Sequence, residues 1–179
     1  MLRIIAGTFA RKALYQPPVG LTRPVSEKAR GAIFNMLGDI VGGAKVLDIY
    51  AGSGALGLEA LSRGAKCVDF VEKHSRVTKL IEQNIDCLGI NDEVQIFTRT
   101  AEQFLRHIKA EYDVILMDPP YADFDLAIVE RVGNLLQYGG TMVVSTSSKV
   151  EFAAPKGLEL VRQKVYGDSM ITVLRKILT

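Results

Sequence analysis

The hydrophobic pattern of the chain alternates between short aliphatic runs and amphipathic segments from residue 45 onward. Five aliphatic runs predict strands: Lys45–Ile49, Cys67–Glu72, Glu93–Thr98, Tyr112–Met117 and Thr141–Ser145. Four segments with apolar residues at helical spacing predict helices: Ala55–Arg63, Ser75–Leu88, Ala101–Lys109 and Asp125–Gln137. This alternation predicts an α/β fold with an open, mostly parallel sheet and helices on both of its faces.

The end of the chain departs from this alternation. Two strand-like runs, Leu158–Tyr166 and Met170–Ile177, are joined across Gly167-Asp168 and predict a terminal β-hairpin. The hairpin brings the sheet to seven strands and makes one of them antiparallel. We therefore predict one Rossmann-like domain over residues 41–179.

A different pattern occupies the start of the chain. Leu2–Ala6 and Lys12–Tyr15 predict a small hairpin with Gly7 in its turn. Ser26 is a predicted N-cap for a following amphipathic helix. We expect residues 1–40 to form a hairpin-helix extension that docks substrate.

The composition is that of an ordinary globular domain. The chain has 179 residues, of which 48% are hydrophobic and 23% are charged, so it can bury one sizeable core. No apolar run approaches the roughly 20 residues that cross a bilayer, and Arg3, Arg11 and Lys12 interrupt any signal-peptide pattern. We expect a monomeric, cytoplasmic protein with no membrane partner.

The cysteines and histidines show no redox or metal-binding pattern. Cys67 and Cys87 form no C-x-x-C motif, which favours a reduced, cytoplasmic setting. His74 and His107 lack the spacing of metal ligands. We expect no metal site.

Basic residues are concentrated near the start of the chain. Residues 1–40 carry six basic and two acidic side chains, although the net charge of the whole chain is only +2. A solvated surface is the simpler explanation of the charge alone, but such an excess is also typical of a segment that grips nucleic-acid phosphates. On that second interpretation the candidate substrate contacts are Arg3, Arg11, Lys12, Arg23 and Arg30.

A glycine-rich turn follows the first predicted strand. Gly52, Gly54 and Gly57 satisfy G-x-G-x-x-G, a pattern that lets a ligand approach the backbone closely. Glu72 lies about 20 residues further on, where a dinucleotide fold places its ribose-binding carboxylate. This pattern is shared by nicotinamide dehydrogenases and methyltransferases. Asp48 favours a methyltransferase, because a carboxylate beside the turn attracts the ammonium and sulfonium of S-adenosylmethionine and repels a pyrophosphate.

A second motif, Asp118-Pro119-Pro120-Tyr121, follows the fourth predicted strand. The carboxylate of Asp118 and the carbonyl of Pro119 can accept hydrogen bonds from an exocyclic amino group, and Tyr121 can stack on the ring that carries it. Because proline fixes φ, the turn holds these acceptors rigidly. Two acceptors placed beside a methyl donor favour methylation of a nucleobase amine by positioning and electrostatics. The alternative is a common Asp-Pro turn with no catalytic role.

The candidate residues all fall at the ends of predicted strands. Asp48, Glu72, the Thr100-Ala101 region and Asp118 would therefore line one edge of the sheet. Open α/β sheets bind ligands beyond the carboxyl ends of their strands, near the point where strand order reverses. We predict a single site at this edge.

These motifs together resemble the bacterial 16S ribosomal RNA guanine-N2 methyltransferase family, whose usual target is guanine 966 in that RNA's own numbering. The resemblance covers residues 2 to about 145 and is most specific over residues 51–65. It rests on the following runs: Arg3-Ile4-Ile5-Ala6-Gly7, Arg23-Pro24, Phe34-Asn35-Met36-Leu37, Asp48 to Ala65, Val71-Glu72 and Asp118 to Tyr121. It implies a seven-stranded methyltransferase fold, S-adenosylmethionine as cofactor and a partly assembled small ribosomal subunit as substrate.

The resemblance also implies residue roles. The methionine part of the cofactor would be held by Asp48, Gly52, Ser53 and Gly54, the ribose by Glu72, and the adenine edge by Thr100 and Ala101. Asn35 would close over the cofactor, and the guanine amine would be taken by Asp118, Pro119, Pro120 and Tyr121. Departures from the family pattern occur at Val25, Gly31 and Thr100, and the Arg11-Lys12 region lacks a glycine that the family often has.

Two other functions remain open from the sequence. The Asp-Pro-Pro-Tyr turn also occurs in DNA adenine-N6 and cytosine-N4 methyltransferases, although this chain has no room for a large target-recognition region. A nicotinamide-binding oxidoreductase, or a non-catalytic nucleotide-binding module, would use the glycine turn without the chemistry of Asp118.

Overall fold

The computed structural model describes residues 2–17, 26–90 and 94–178. Its helices are α1 Glu27–Leu37, α2 Ala55–Ser62, α3 Ser75–Leu88, α4 Ala101–Leu105 and α5 Leu126–Gly133. Its strands are β1 Lys45–Ile49, β2 Cys67–Glu72, β3 Val94–Thr98, β4 Tyr112–Met117, β5 Leu136–Ser147, β6 Leu158–Tyr166 and β7 Ser169–Lys176. Two short 3-10 helices span Gly38–Val41 and Tyr121–Asp123.

The strands form one seven-stranded sheet in the order β3-β2-β1-β4-β5-β7-β6. The first five strands pair in parallel, and β7 runs antiparallel to both β5 and β6. The predicted α/β fold, the seven strands and the single antiparallel strand are confirmed. The strand order reverses between β1 and β4, which makes the carboxyl ends of those two strands the expected ligand crevice.

The sheet is covered on both faces by apolar clusters. One cluster joins β1, β2 and β4 to α1, α2 and α3, and it includes Ile4 and Leu14 from the start of the chain. The other joins the opposite face to α4 and α5. The extension and the sheet thus share one core, and the boundary at residue 40 stays a prediction.

Two helices are shorter than the hydrophobic pattern predicts. Helix α4 ends at Leu105 instead of Lys109, and α5 ends at Gly133 instead of Gln137. Leu136 begins β5 and pairs with Tyr112 of β4. Helical spacing cannot distinguish such a residue from the last turn of a helix, so strand pairing decides the boundary.

The N-terminal segment (residues 2–17) folds back on itself and is held on the domain by side chains of α2. Backbone hydrogen bonds join Ile4 to Lys12 and Arg11, and Leu14 to Leu2, around an antiparallel bridge between Arg3 and Ala13. The amides of Ile5 and Ala6 donate to the two oxygens of Glu59, at 2.7 and 3.0 Å. Glu59, on α2, accepts these amides, so the segment docks on a helix, and the predicted hairpin is present as a short antiparallel pairing without extended strands.

Ser62, one turn further along α2, completes the docking site. Its hydroxyl accepts from the amide of Phe9 at 2.9 Å and donates to the carbonyl of Ala6 at 2.5 Å. Gly7 passes so close that a β-carbon added there would lie 1.7 Å from the carbonyl oxygen of Ser62. No larger residue fits at this contact.

Arg30 is buried and does not face solvent, contrary to the sequence prediction of a phosphate contact. Its side chain has 0% exposure, its Nε lies 3.8 Å from Glu59, and its guanidinium also donates to the carbonyl of Arg3. Arg63 donates to the same carboxylate at 2.8 Å. A phosphate cannot reach Arg30 in this structure, so its role is to pair with Glu59 beneath the N-terminal segment.

Neither a membrane span nor a metal centre is found in the described parts of the chain. Over those residues, no helix combines the length and the apolar character needed to cross a bilayer. Over the same residues, no group of three or more histidine, cysteine or acidic side chains is placed to hold a metal ion.

Candidate active site

The site lies where β1 ends between its two neighbours. Ile49 pairs with Val71 of β2 on one side and with Met117 of β4 on the other. The next residues on those strands are Glu72 and Asp118. Since adjacent strands lie about 4.8 Å apart, the two backbones flank the end of β1 at a separation of about 10 Å. The structure therefore places Glu72 and Asp118 on either side of the end of β1, at one edge of the sheet.

Asp48 supplies a buried carboxylate beneath the glycine loop (residues 52–54). The residue is 1% exposed, and its Oδ2 accepts from the amide of Gly57 at 2.8 Å. That amide lies in the first turn of α2, whose N-cap is Gly54 and has no side chain, so Asp48 acts as the missing cap.

Burial raises the pKa of Asp48 to about 8. The hydrogen bond from Gly57 opposes this rise, and the negative charges of Asp118 and Glu72 add to it. A carboxylate in this state lacks a counter-ion. The ammonium of an amino-acid ligand would supply one, so Asp48 fits the methionine end of S-adenosylmethionine.

Glu72 fixes the loop to the end of β2. Its Oε2 accepts from the amide of Gly52 at 3.1 Å, and its Oε1 accepts from the amide of His74 at 2.9 Å. Each carboxylate oxygen has a further lone pair. Glu72 can therefore hold the loop and still accept hydrogen bonds from ribose hydroxyls.

Close packing explains the third glycine of the motif. A β-carbon added to Gly57 would lie 2.3 Å from Cε1 of Phe70 in β2. The absence of a side chain lets α2 approach the sheet and brings the Gly57 amide to Asp48. The glycine pattern thus builds the carboxylate site as well as the turn.

Asp118 is half-buried at the end of β4. Burial raises the pKa of Asp118 to about 6, and a hydrogen bond from the side chain of Ser145 opposes the rise. Ser145 lies on β5 and is 2% exposed. Sequence reasoning missed Ser145; the available signal was its position at the end of the predicted strand Thr141–Ser145.

The rest of the turn is fixed at both ends. Pro119 is buried and Pro120 is exposed, and the carbonyl of Pro120 accepts from the amide of Asp123 at 2.8 Å. The Tyr121 hydroxyl lies 2.8 Å from Oγ of Ser169, the first residue of β7, while 38% of Tyr121 remains exposed. A tyrosine anchored through its hydroxyl can offer its ring to a planar ligand.

The predicted adenine contacts lie beside the end of β2. The amide of Arg99 donates to the carbonyl of Glu72 at 3.0 Å, which brings Thr100 and Ala101 next to the carboxylate. Thr100 is the N-cap of α4 and forms a capping box with Gln103. Threonine thus serves at the position where the resemblance implies an acid, and the contact with adenine stays a prediction.

Ser53 lies at the centre of the glycine loop and is 5% exposed. Its carbonyl accepts from Nδ2 of Asn84, a fully buried residue of α3, at 3.1 Å. Sequence reasoning missed Asn84. The signal was a polar residue beside Ile81 and Ile85 on the apolar face of α3.

The remaining predicted residues are only partly located by the structure. Asn35 is exposed on α1, and its closure over the cofactor stays a prediction. Arg3, Arg11 and Lys12 are exposed on the N-terminal segment. Arg23, like the unusual Val25, lies outside the described residues.

The comparisons with known proteins agree with this geometry. Residues 2–175 match the family described as Conserved hypothetical protein 95. The chain belongs to this family. A relative of the chain, the Ribosomal RNA small subunit methyltransferase D of Escherichia coli strain K12, is 31% identical over 174 residues, which are 93% of this chain and 86% of that protein. The family implied by the sequence motifs is thereby confirmed.

Two solved structures support the fold. The Escherichia coli protein yhhF superposes with a TM-score of 0.88 at 26% identity, over 99% of this chain and 98% of that one. SMU.776, solved in complex with SAH, shares the fold with a TM-score of 0.67 at 12% identity, over 79% of this chain and 48% of that one. The Conserved hypothetical protein 95 chain described here is an S-adenosylmethionine-dependent methyltransferase. The nicotinamide alternative left open by the glycine pattern does not hold.

Proposed function

We propose that the protein methylates the exocyclic N2 amine of a guanine in the RNA of the small ribosomal subunit. The relative named Ribosomal RNA small subunit methyltransferase D supports the class of RNA. The observation that carries the choice of an amine is the position of Asp118. It lies beside the glycine loop, across β1 from Glu72, with the ring of Tyr121 directly after the two prolines.

The nitrogen to be methylated is a poor nucleophile, because its lone pair is delocalised into the guanine ring. S-adenosylmethionine, when bound, supplies a methyl group activated by a sulfonium. The Asp118 carboxylate and the Pro119 carbonyl would accept hydrogen bonds from the two N–H groups of the amine. These bonds would orient the nitrogen lone pair toward that methyl group. Tyr121, held by Ser169, would stack on the base once it leaves its helix.

The bonds of this transfer balance without a covalent enzyme intermediate. The N–C bond forms as the S–C bond breaks, and the amine then loses one proton. Asp118, with its pKa raised to about 6 by burial, can receive that proton or pass it to water. In this scheme Asp118 positions the amine first and helps its deprotonation second.

The proposed function is tested by mapping methylated nucleosides in ribosomal RNA from cells with and without the protein. We expect N2-methylguanosine to disappear from one position of the small-subunit RNA and to return when the purified protein and S-adenosylmethionine are added. Loss of a methylated adenine, or of a modified base in DNA, would instead support the other nucleobase-amine methyltransferases and contradict the guanine assignment.

The pKa of Asp118 predicts a pH profile. Its raised pKa means that the accepting carboxylate is lost below about pH 6, so kcat/KM should rise with pH up to about 6 and then level off. Because the Ser145 hydrogen bond lowers this pKa, Ser145→Ala should move the midpoint to higher pH. Thr146→Val, on the same strand, should leave the midpoint unchanged. An identical midpoint in wild type and Ser145→Ala would refute this control of Asp118.

The exposed cations of the N-terminal segment predict a salt-dependent RNA affinity. Replacing Arg11 or Lys12 with Ala should weaken RNA binding and reduce the slope of log K against log salt by about 0.7–0.9 per lost contact. Lys66 is a matched control, because it is also exposed but lies outside the N-terminal segment, just before β2. Equal losses at Lys66 and at the segment would show that the binding is non-specific.

A further inference from the structure

Asn84 joins two parts of the protein that the proposed function keeps separate. Its Oδ1 accepts from the amide of Tyr15 at 2.6 Å, and its Nδ2 donates to the carbonyl of Tyr15 at 3.0 Å. The same Nδ2 donates to the carbonyl of Ser53 at 3.1 Å. The Asn84 side chain thus makes two hydrogen bonds to the N-terminal segment and one to the glycine loop.

The burial of Asn84 makes these bonds difficult to exchange for water. The residue is 0% exposed, and its oxygen and both amide hydrogens are matched by the three contacts. A buried group that loses its hydrogen-bond partner is left desolvated without compensation, which is unfavourable. If Tyr15 moves, the Asn84 side chain loses two of its partners and its hydrogen bond to Ser53 should weaken. If the glycine loop moves, the hydrogen bonds of Asn84 to Tyr15 should weaken in turn.

We propose that Asn84 is a positioning residue that couples the seating of the N-terminal segment to cofactor binding at the glycine loop. The coupling rests on the proposed placement of the cofactor against residues 52–54. By thermodynamic reciprocity, a cofactor that fixes Ser53 also stabilises the bonded state of Tyr15. The segment with exposed Arg11 and Lys12 is thereby best seated when the methyl donor is present.

Ser62 offers an internal control for this coupling. It bonds the amide of Phe9 in the same N-terminal segment, but it lies at the far end of α2 and its contacts are with that segment. If cofactor binding stabilised the whole protein, amide hydrogen exchange should slow at both Phe9 and Tyr15. Coupling through Asn84 should act on Tyr15 alone.

The test measures amide hydrogen exchange in the wild-type protein with and without saturating S-adenosylhomocysteine. We expect the cofactor product to slow exchange at Tyr15 at least about fivefold and to leave Phe9 unchanged. Unchanged exchange at Tyr15, or equal slowing at both amides, would overturn the proposal. Failure of the wild-type protein to bind S-adenosylhomocysteine at all would contradict the cofactor placement itself, and the coupling with it.

Two variants extend the test to affinity, measured by calorimetry with S-adenosylhomocysteine. Asn84→Ala should weaken binding about tenfold, whereas Ser62→Ala should stay within about twofold of wild type. Comparable losses in both variants would show that the segment affects the cofactor by loosening the whole fold. The exchange measurement in the wild-type protein decides the question if Asn84→Ala does not fold.

Discussion

Asp118→Ala is expected to lower turnover by about 10²- to 10³-fold while S-adenosylmethionine binds with nearly its wild-type affinity. The carboxylate lies across β1 from Glu72 and, in the proposed function, would accept from the amine, so its removal should act on the transition state and not on the cofactor. Single-turnover rates with labelled cofactor measure the first effect, and calorimetry measures the second. If affinity collapsed while the rate at saturation survived, Asp118 would be a cofactor-binding residue.

Asp118→Asn is the matched comparison for this prediction. The amide keeps one acceptor oxygen and the shape of the side chain, but it loses the charge and places an NH₂ group where the second acceptor was. We expect its turnover to lie between those of wild type and Asp118→Ala. The midpoint near pH 6 should also disappear from its profile, because the titrating carboxyl is gone.

Asp48→Asn is expected to weaken cofactor binding by about 30-fold or more and to stabilise the ligand-free protein at alkaline pH. Truncating one partner of a buried charge pair costs about 2–5 kcal/mol, and the ammonium of the cofactor would lose its carboxylate. The same change removes the cost of ionising a buried acid. The asparagine oxygen can still accept from Gly57.

The sign of the stability effect follows from the pKa of Asp48. Burial raises it from 3.8 to about 8, so the stabilisation associated with the neutral acid is complete below about pH 4 and is lost as pH rises through 8. At pH 9 the ligand-free variant should melt roughly 5 °C above wild type. In wild type, cofactor affinity should increase between pH 6 and 8, whereas in Asp48→Asn it should not. A variant that melted below wild type at pH 9 would contradict the assigned pKa.

The sequence predicted the central strands well because their ends are chemically marked. β1, β2 and β4 have the bounds that their aliphatic runs indicate, since β2 and β4 are followed at once by a charged residue and β1 is followed within three residues by Gly52. The end of α5 had no such mark. Leu136 continues the helical spacing, and only its pairing with Tyr112 makes it part of a strand.

The sequence predicted the chemical groups of the site but not the side chains that hydrogen-bond to them. Asp48, Glu72 and Asp118 could be placed at one edge because parallel strands end together. Ser145 and Ser169 come from other elements, and no spacing in the sequence assigns them to Asp118 or Tyr121.

The misplacement of Arg30 had a visible signal. Arg30 shares a helix face with Ile33, Phe34 and Leu37, so an apolar stripe already pointed its side chain inward. Its partner Glu59 sits in a helix whose every residue is buried. A charge on an apolar face indicates a buried pair, whereas total charge alone suggested a nucleic-acid contact.

The docking of the N-terminal segment on α2 and α3 has a practical consequence for anyone engineering this enzyme. Trimming the first sixteen residues would remove the hydrogen bonds that Glu59, Ser62 and Asn84 make to this segment, at a cost of about 1–3 kcal/mol for each buried group left unsatisfied, although Glu59 would keep Arg63 and Asn84 would keep Ser53. The sum is comparable to the whole stability of an ordinary domain. A shortened catalytic fragment is therefore not obtainable by deletion at this end, and affinity tags belong at the other terminus.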